Sequence, residues 1–147
     1  MTVEFNESAL QVENLPCFSL YSAANAMVRA YRPVLDALDL TYPQYLAMLV
    51  LWCDDGLSVK TLGEKLLMDS GTTTPLLKRM EAKGLVRRER CKQDERSCIV
   101  SLTEAGQALK QQAHEVQQSM ACKSCISEEE LQELKRLCDT LRNGLCG

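Results

Sequence analysis

The spacing of apolar positions along this chain switches from helical to alternating and back, and each switch marks an element. Helical spacing comes first. Asn14 is a good N-cap and Pro16 is tolerated in a first turn, so the stretch LYSAANAMVRAY is predicted to be one helix until Pro33 kinks or ends it. A second helix is predicted from Thr41, again with an early proline, Pro43. It carries LAMLVLW into the core and stops at Asp54, Asp55 and Gly56. Ser58 can cap a short helix through Leu66, and Asp69 or Ser70 another that ends at Gly84. Two short helices with so brief a link suggest a helix-turn-helix.

At about 100° per residue, Thr73, Leu76, Leu77 and Met80 fall on one face of the later helix. Gly71, Thr74, Pro75, Lys78 and Ala82 fall on the other, flanked by Thr72 and Arg79. Such a small, polar, singly cationic face suits a DNA major groove, where N-terminal amides meet phosphate and short hydroxyls reach base edges. Leu85 to Arg90 and Arg96 to Leu102 then read as strands around the turn CKQDE, with Cys98, Val100 and Leu102 inward. A helix-turn-helix followed by a basic hairpin is a winged helix. Thr103 is predicted to cap a long polar helix through about Met120, and Ser127 with Glu130 forms a capping box for the last one. There Leu131, Leu134, Cys138, Leu141 and Leu145 repeat at spacings 3, 4, 3, 4, the seam of a coiled coil. The expected fold class is α+β, mainly α, in one domain. A winged helix over about residues 41–102 is joined to helices over about 14–38 and 104–146 that form a homodimerisation region. Two-fold symmetry would match an inverted-repeat operator in double-stranded DNA.

Charge sharpens this picture. Thr72 to Cys98 holds eight cations against four anions, a local net of +4 in a chain of net −3, which leaves −7 elsewhere. Cations gathered on one helix and one hairpin of an acidic protein point to a phosphate backbone rather than to a solvated surface. The longest apolar run, Leu46 to Cys53, has 8 residues, far short of the roughly 20 that a membrane span needs. The opening MTVEFNESALQVENL has no apolar signal-peptide core, so a cytoplasmic protein without membrane partners is expected.

Eight cysteines are many for a reducing compartment. The only CxxC, Cys122 to Cys125, lacks a second pair or histidines at finger spacing, so neither metal nor cofactor is expected. Cys53, Cys98 and Cys138 lie on apolar stripes and are expected to pack. Cys91, in the hairpin turn, and Cys146 are expected to be exposed, as is His114 on its polar helix. Cys17 differs, because the first turn of a helix lowers a thiol's pKa and favours the thiolate. Tyr21 stands one turn along and can donate a hydrogen bond to the sulfur. Tyr31 lies near the same face but about 21 Å further along the helix, within reach only of a partner subunit's Cys17. Residue chemistry alone leaves open a second reading, in which Cys17 is a buried small hydrophobe and the tyrosines are core aromatics.

LPCFSLYSAANAMVRAYRPVLDALDLTYPQYLAMLVLW, DSGTTTPLLKRMEAKGLVRRER and DERSCIVSLTEAG resemble the MarR family of winged-helix repressors, and within it the organic hydroperoxide resistance regulators. The resemblance covers most of Leu15 to Gly106, with Met68 in place of the usual leucine before Asp69. It implies a transcriptional repressor, not an enzyme. The implied peroxidatic cysteine is Cys17, hydrogen-bonded by Tyr21, Tyr31 and Tyr42, the last two from the other subunit. It implies a recognition helix over residues 70–83, with Ser70, Thr72, Thr74, Lys78 and Arg79 toward DNA. The implied wing carries Arg88, Arg90 and a minor-groove Arg96 braced by Asp94. The resolving cysteine falls on Cys122, with Cys125 as the alternative. The oxidant would be an organic hydroperoxide. Two other functions stay open: a MarR-type repressor induced by a small phenolic ligand, and a thiol peroxidase.

Overall fold

The computed structural model describes residues 7–94, 96–123 and 125–146. After two 3-10 turns, α1 runs over Pro16–Asp36, α2 over Tyr42–Cys53, β1 over Leu57–Ser58, α3 over Val59–Leu66 and α4 over Ser70–Ala82. The hairpin β2 (Val86–Arg90) and β3 (Cys98–Leu102) leads into α5 (Glu104–Ala108), α6 (Lys110–Lys123) and α7 (Glu128–Cys146). The architecture is mainly helical around one small antiparallel sheet, as the apolar spacing predicts.

Local chemistry explains most of the element ends. Thr41 caps α2 through a reciprocal capping box with Gln44, and Ser58 caps α3 by accepting from the Thr61 N–H. Asp69 caps α4 by accepting from the Thr72 N–H at 2.9 Å. Gly56 and Gly84 take left-handed backbone, with φ +74° and +76°, where the chain leaves α2 and α4. Ser127 and Glu130 exchange the expected capping-box bonds at the start of α7.

Three boundaries and one added strand differ from expectation. Leu15, not Asn14, is the N-cap of α1; Asn14 closes a 3-10 turn and its amide donates to the Ser8 carbonyl. Pro33 does not end α1, which continues to Asp36, because buried Leu35 anchors the last turn and its carbonyl accepts from Leu38 and Leu40. The helix after Thr103 breaks at Leu109. There the Trp52 indole N–H donates to the Gly106 carbonyl at 3.0 Å, an insertion of the kind that kinks a helical ladder. Finally, β1 adds a strand that two residues could not announce, paired with the middle of β3 through Leu57 opposite Val100. The sheet order is β1-β3-β2, so β2 is an edge.

The core gathers Tyr45, Ala47, Met48, Leu51 and Trp52 of α2 with Leu62, the inner face of α4, and Val86, Val100 and Leu102 of the hairpin. Thr73, Leu76, Leu77 and Met80 are all buried, as their spacing requires. Gly63 lets α3 and α4 approach, since a Cβ there would sit 2.9 Å from the Thr73 hydroxyl. Two helices add little or nothing to this core. In α1 only Tyr31 and Leu35 are buried, and α7 buries nothing: Leu131, Leu134, Leu141 and Leu145 are 39, 43, 46 and 78% exposed.

Candidate nucleic-acid interface and thiol centre

The outer face of α4 carries Ser70, Thr72, Lys78 and Arg79 exposed, with Thr74 half-buried. Thr73 faces inward and donates its hydroxyl proton to the Asp69 carbonyl, which fixes the first turn and leaves its neighbours turned out. Across from α4 stands the wing. Arg90 and Arg96 are exposed and Arg88 is half-buried. Between helix and wing runs a groove of about 390 Å³ lined by Lys60, Thr74, Arg88, Asp94, Arg96 and Cys98, among others. Five of the nine residues expected at DNA therefore lie on α4 and the other four on the wing, three of these on the shared groove. Lys60 of α3 joins them. No cluster of basic residues in the sequence marks that lysine.

Three sets of contacts shape this surface. Asp94 steadies Arg96 through the backbone, accepting from its N–H at 3.0 Å, and the Asp94 carbonyl accepts from Ser97. Lys83, counted among the basic cluster, is tied to its own chain: its ammonium donates to the Asp39 carbonyl at 2.6 Å and to Gln44 Oε1 at 3.0 Å. Arg88 is bound by Glu81 of α4, whose carboxylate accepts from the Arg88 N–H at 3.0 Å and from its guanidinium at 3.2 Å. Those bonds hold the Glu81 carboxyl below the usual carboxylate range.

The thiols occupy a different end of the molecule. Cys17 is exposed at the second position of α1, with Tyr21 one turn away and 68% exposed. Tyr31 is buried at the far end of the same helix, its ring 5.1 Å from that of Tyr42 and 5.8 Å from that of Tyr45. Burial, then the neighbouring tyrosines, raise the Tyr31 pKa and keep its phenol a donor. The chain thus brings Tyr31 and Tyr42 together, and Cys17 with Tyr21, but holds the two pairs apart. Cys122 is exposed near the end of α6 and Cys125 is exposed in the turn beyond it. Corrections fall on two further thiols. Cys53 is exposed, because it ends α2 beyond the buried face, and Cys91 is half-buried, because its N–H extends the hairpin ladder to the Ser97 carbonyl. Cys98 and Cys138 are half-buried, Cys146 and His114 exposed.

A family described as "Transcriptional regulator SarA/Rot" matches residues 29–113, most of α1 through α6. The organic hydroperoxide resistance transcriptional regulator of Bacillus subtilis is 48% identical over 132 residues, 90% of each chain. This chain belongs to the SarA/Rot and MarR type of winged-helix transcriptional regulators. Among solved structures, reduced AbfR of Staphylococcus epidermidis bound to DNA superposes on this regulator with TM-score 0.79 at 31% identity, over 96% of each chain. Disulfide-formed AbfR gives TM-score 0.65 at 31% identity, over 92% of the regulator and 95% of that chain. As a MarR-type regulator the chain binds DNA, and among its described residues no helix is long and apolar enough to cross a membrane.

Proposed function

We propose that this regulator is a homodimeric repressor that holds an inverted-repeat operator when reduced and releases it when an organic hydroperoxide oxidises Cys17. The peroxide's terminal oxygen passes to the Cys17 thiolate, giving a sulfenic acid and an alcohol as the O–O bond breaks. The Cys122 thiol of the other subunit then condenses with the sulfenic acid, forming a disulfide and releasing water. DNA contact is made by Ser70, Thr72, Thr74, Lys78 and Arg79 from α4 and by Arg90 and Arg96 from the wing, with Asp94 shaping the turn and Arg88 on the groove floor.

One observation carries the redox reading. Lys123 Nζ donates to the Ala30 carbonyl at 3.5 Å, which ties the end of α6, the helix that carries Cys122, to the stretch of α1 next to Tyr31. Cys17 of the same chain lies thirteen residues back along α1, about 20 Å away. A thiol served by Tyr31 and Tyr42 and bridged by Cys122 is therefore the partner subunit's Cys17. The apolar faces left open on α1 and α7 support such a dimer, antiparallel at α1. Resemblance adds weight through a relative named for organic hydroperoxide resistance and through a structural neighbour solved both reduced on DNA and with a disulfide.

The test is operator binding before and after one equivalent of cumene hydroperoxide. Wild type is expected to lose binding, Cys17→Ser to keep it, and a non-reducing dimer band to be absent from Cys122→Ser. A band that persists in Cys122→Ser but vanishes in Cys125→Ser would assign the resolving role to Cys125. Binding retained by wild type after peroxide would sink the sensor. The phenolic-ligand reading would then take its place, since a cleft of about 230 Å³ lies between α1 and α2, with Val28, Arg32, Leu35 and Tyr42 on its walls.

A further inference from the structure

The Glu81 carboxylate presents an oddity for a protein that binds a polyanion. It sits on the recognition helix, exposed, where a negative charge weakens attraction to phosphate. Its two oxygens are nevertheless both engaged, one by the backbone N–H and the other by the guanidinium of Arg88, the middle residue of β2. Because β2 is the edge of the sheet, this N–H turns away from the ladder to β3 and is satisfied by α4 instead. Arg88 in turn lines the groove with Thr74 and Arg96. Glu81 lies about 16 Å along the helix axis from Ser70, away from the turn that carries the threonines.

We infer that Glu81 is a positioning residue for DNA binding: it clamps β2 to the recognition helix and so sets the angle at which the wing stands. The leverage is large. From Arg88 to the wing turn is about five residues, or about 16 Å at strand rise, so a swing of about 10° moves the tip by about 3 Å. That is the length of a hydrogen bond, enough to take Arg96 out of register while α4 is seated. The inference rests on DNA binding by α4 and the wing, and is independent of the cysteine chemistry.

The experiment uses full-length reduced protein and a duplex that the wild type selects from random double-stranded DNA, with Kd read by fluorescence anisotropy. Glu81→Ala is expected to weaken binding at least tenfold and Glu81→Gln by less, although each removes a negative charge and charge alone would tighten binding. Glu81→Asp keeps the charge but is too short to hold both donors, and is expected to weaken binding as well. In a background that lacks both wing contacts, Arg90→Ala with Arg96→Ala, Glu81→Ala is expected to change Kd less than twofold, because the wing no longer has a contact to lose. Tighter or unchanged binding by Glu81→Ala and Glu81→Gln, or the same loss in both backgrounds, overturns the clamp. If Arg96→Ala itself leaves Kd unchanged, the wing reading fails and the clamp with it. A weakened Arg96→Ala beside an unaffected Glu81→Ala removes the clamp alone.

Discussion

At the residue scale, single atoms decide several outcomes. A Cβ on Gly106 would lie 2.2 Å from the Leu85 carbonyl oxygen, a backbone atom that cannot step aside. Gly106→Ala is expected to destabilise the fold by about 3 kcal/mol, the upper range for overpacking, visible as a lower midpoint in urea unfolding. Tyr45 is fully buried against Tyr31 and Tyr42 and its hydroxyl accepts from Gln117 of α6. Tyr45→Phe keeps the ring and removes this tie, so the oxidised protein is expected to close its disulfide faster, while sulfenic acid formation, followed by dimedone trapping, is unchanged. Burial raises the pKa of both Tyr31 and Tyr45 above the ordinary 10.0. For an acid so shifted the neutral form is favoured by folding. Its stability is complete below the unfolded value and is lost as pH rises through the folded one. Unfolding midpoints followed upward from pH 10 should fall less steeply in Tyr31→Phe than in wild type.

At the element scale, what the sequence shows clearly is what neighbouring residues settle among themselves. The caps at Thr41, Ser58, Asp69 and Thr103, and the inward face of α4, depend on contacts within one turn or on period alone, and they match. The break at Leu109 depends on Trp52, which is 54 residues from Gly106, so no local signal announces it. β1 exists because β3 is there to pair with it. The same limit applies at the interface. Lys83 reads as one more DNA cation, but its partners Asp39 and Gln44 are 44 and 39 residues away, and Glu81 reads as a solvated charge until β2 folds beside it. The seam of α7 is legible as a pattern, and among the described residues it stays exposed. Replacing Leu134 and Leu141 by glutamate is therefore expected to convert a sedimenting dimer into monomer and to abolish binding to a two-half-site duplex.

At the scale of the whole molecule, cation placement matters more than net charge. Lys60, Arg88 and Arg96 line one groove with Thr74 of α4 in a chain of net charge −3, so attraction is concentrated on the face that carries α4. Counterion release then gives a steep salt dependence, and Lys78→Ala is expected to reduce the slope of log K against log salt by about 2 for a dimer, one phosphate contact per subunit. The uncovered leucines of α7 carry one more consequence. A helix whose apolar side is sheltered only by another molecule owes part of its folding to mass action. The melting temperature should climb with protein concentration, and dilution should cost operator occupancy more steeply than in proportion. The amount of this regulator in a cell is then itself an input, read alongside whatever chemistry acts on its thiols.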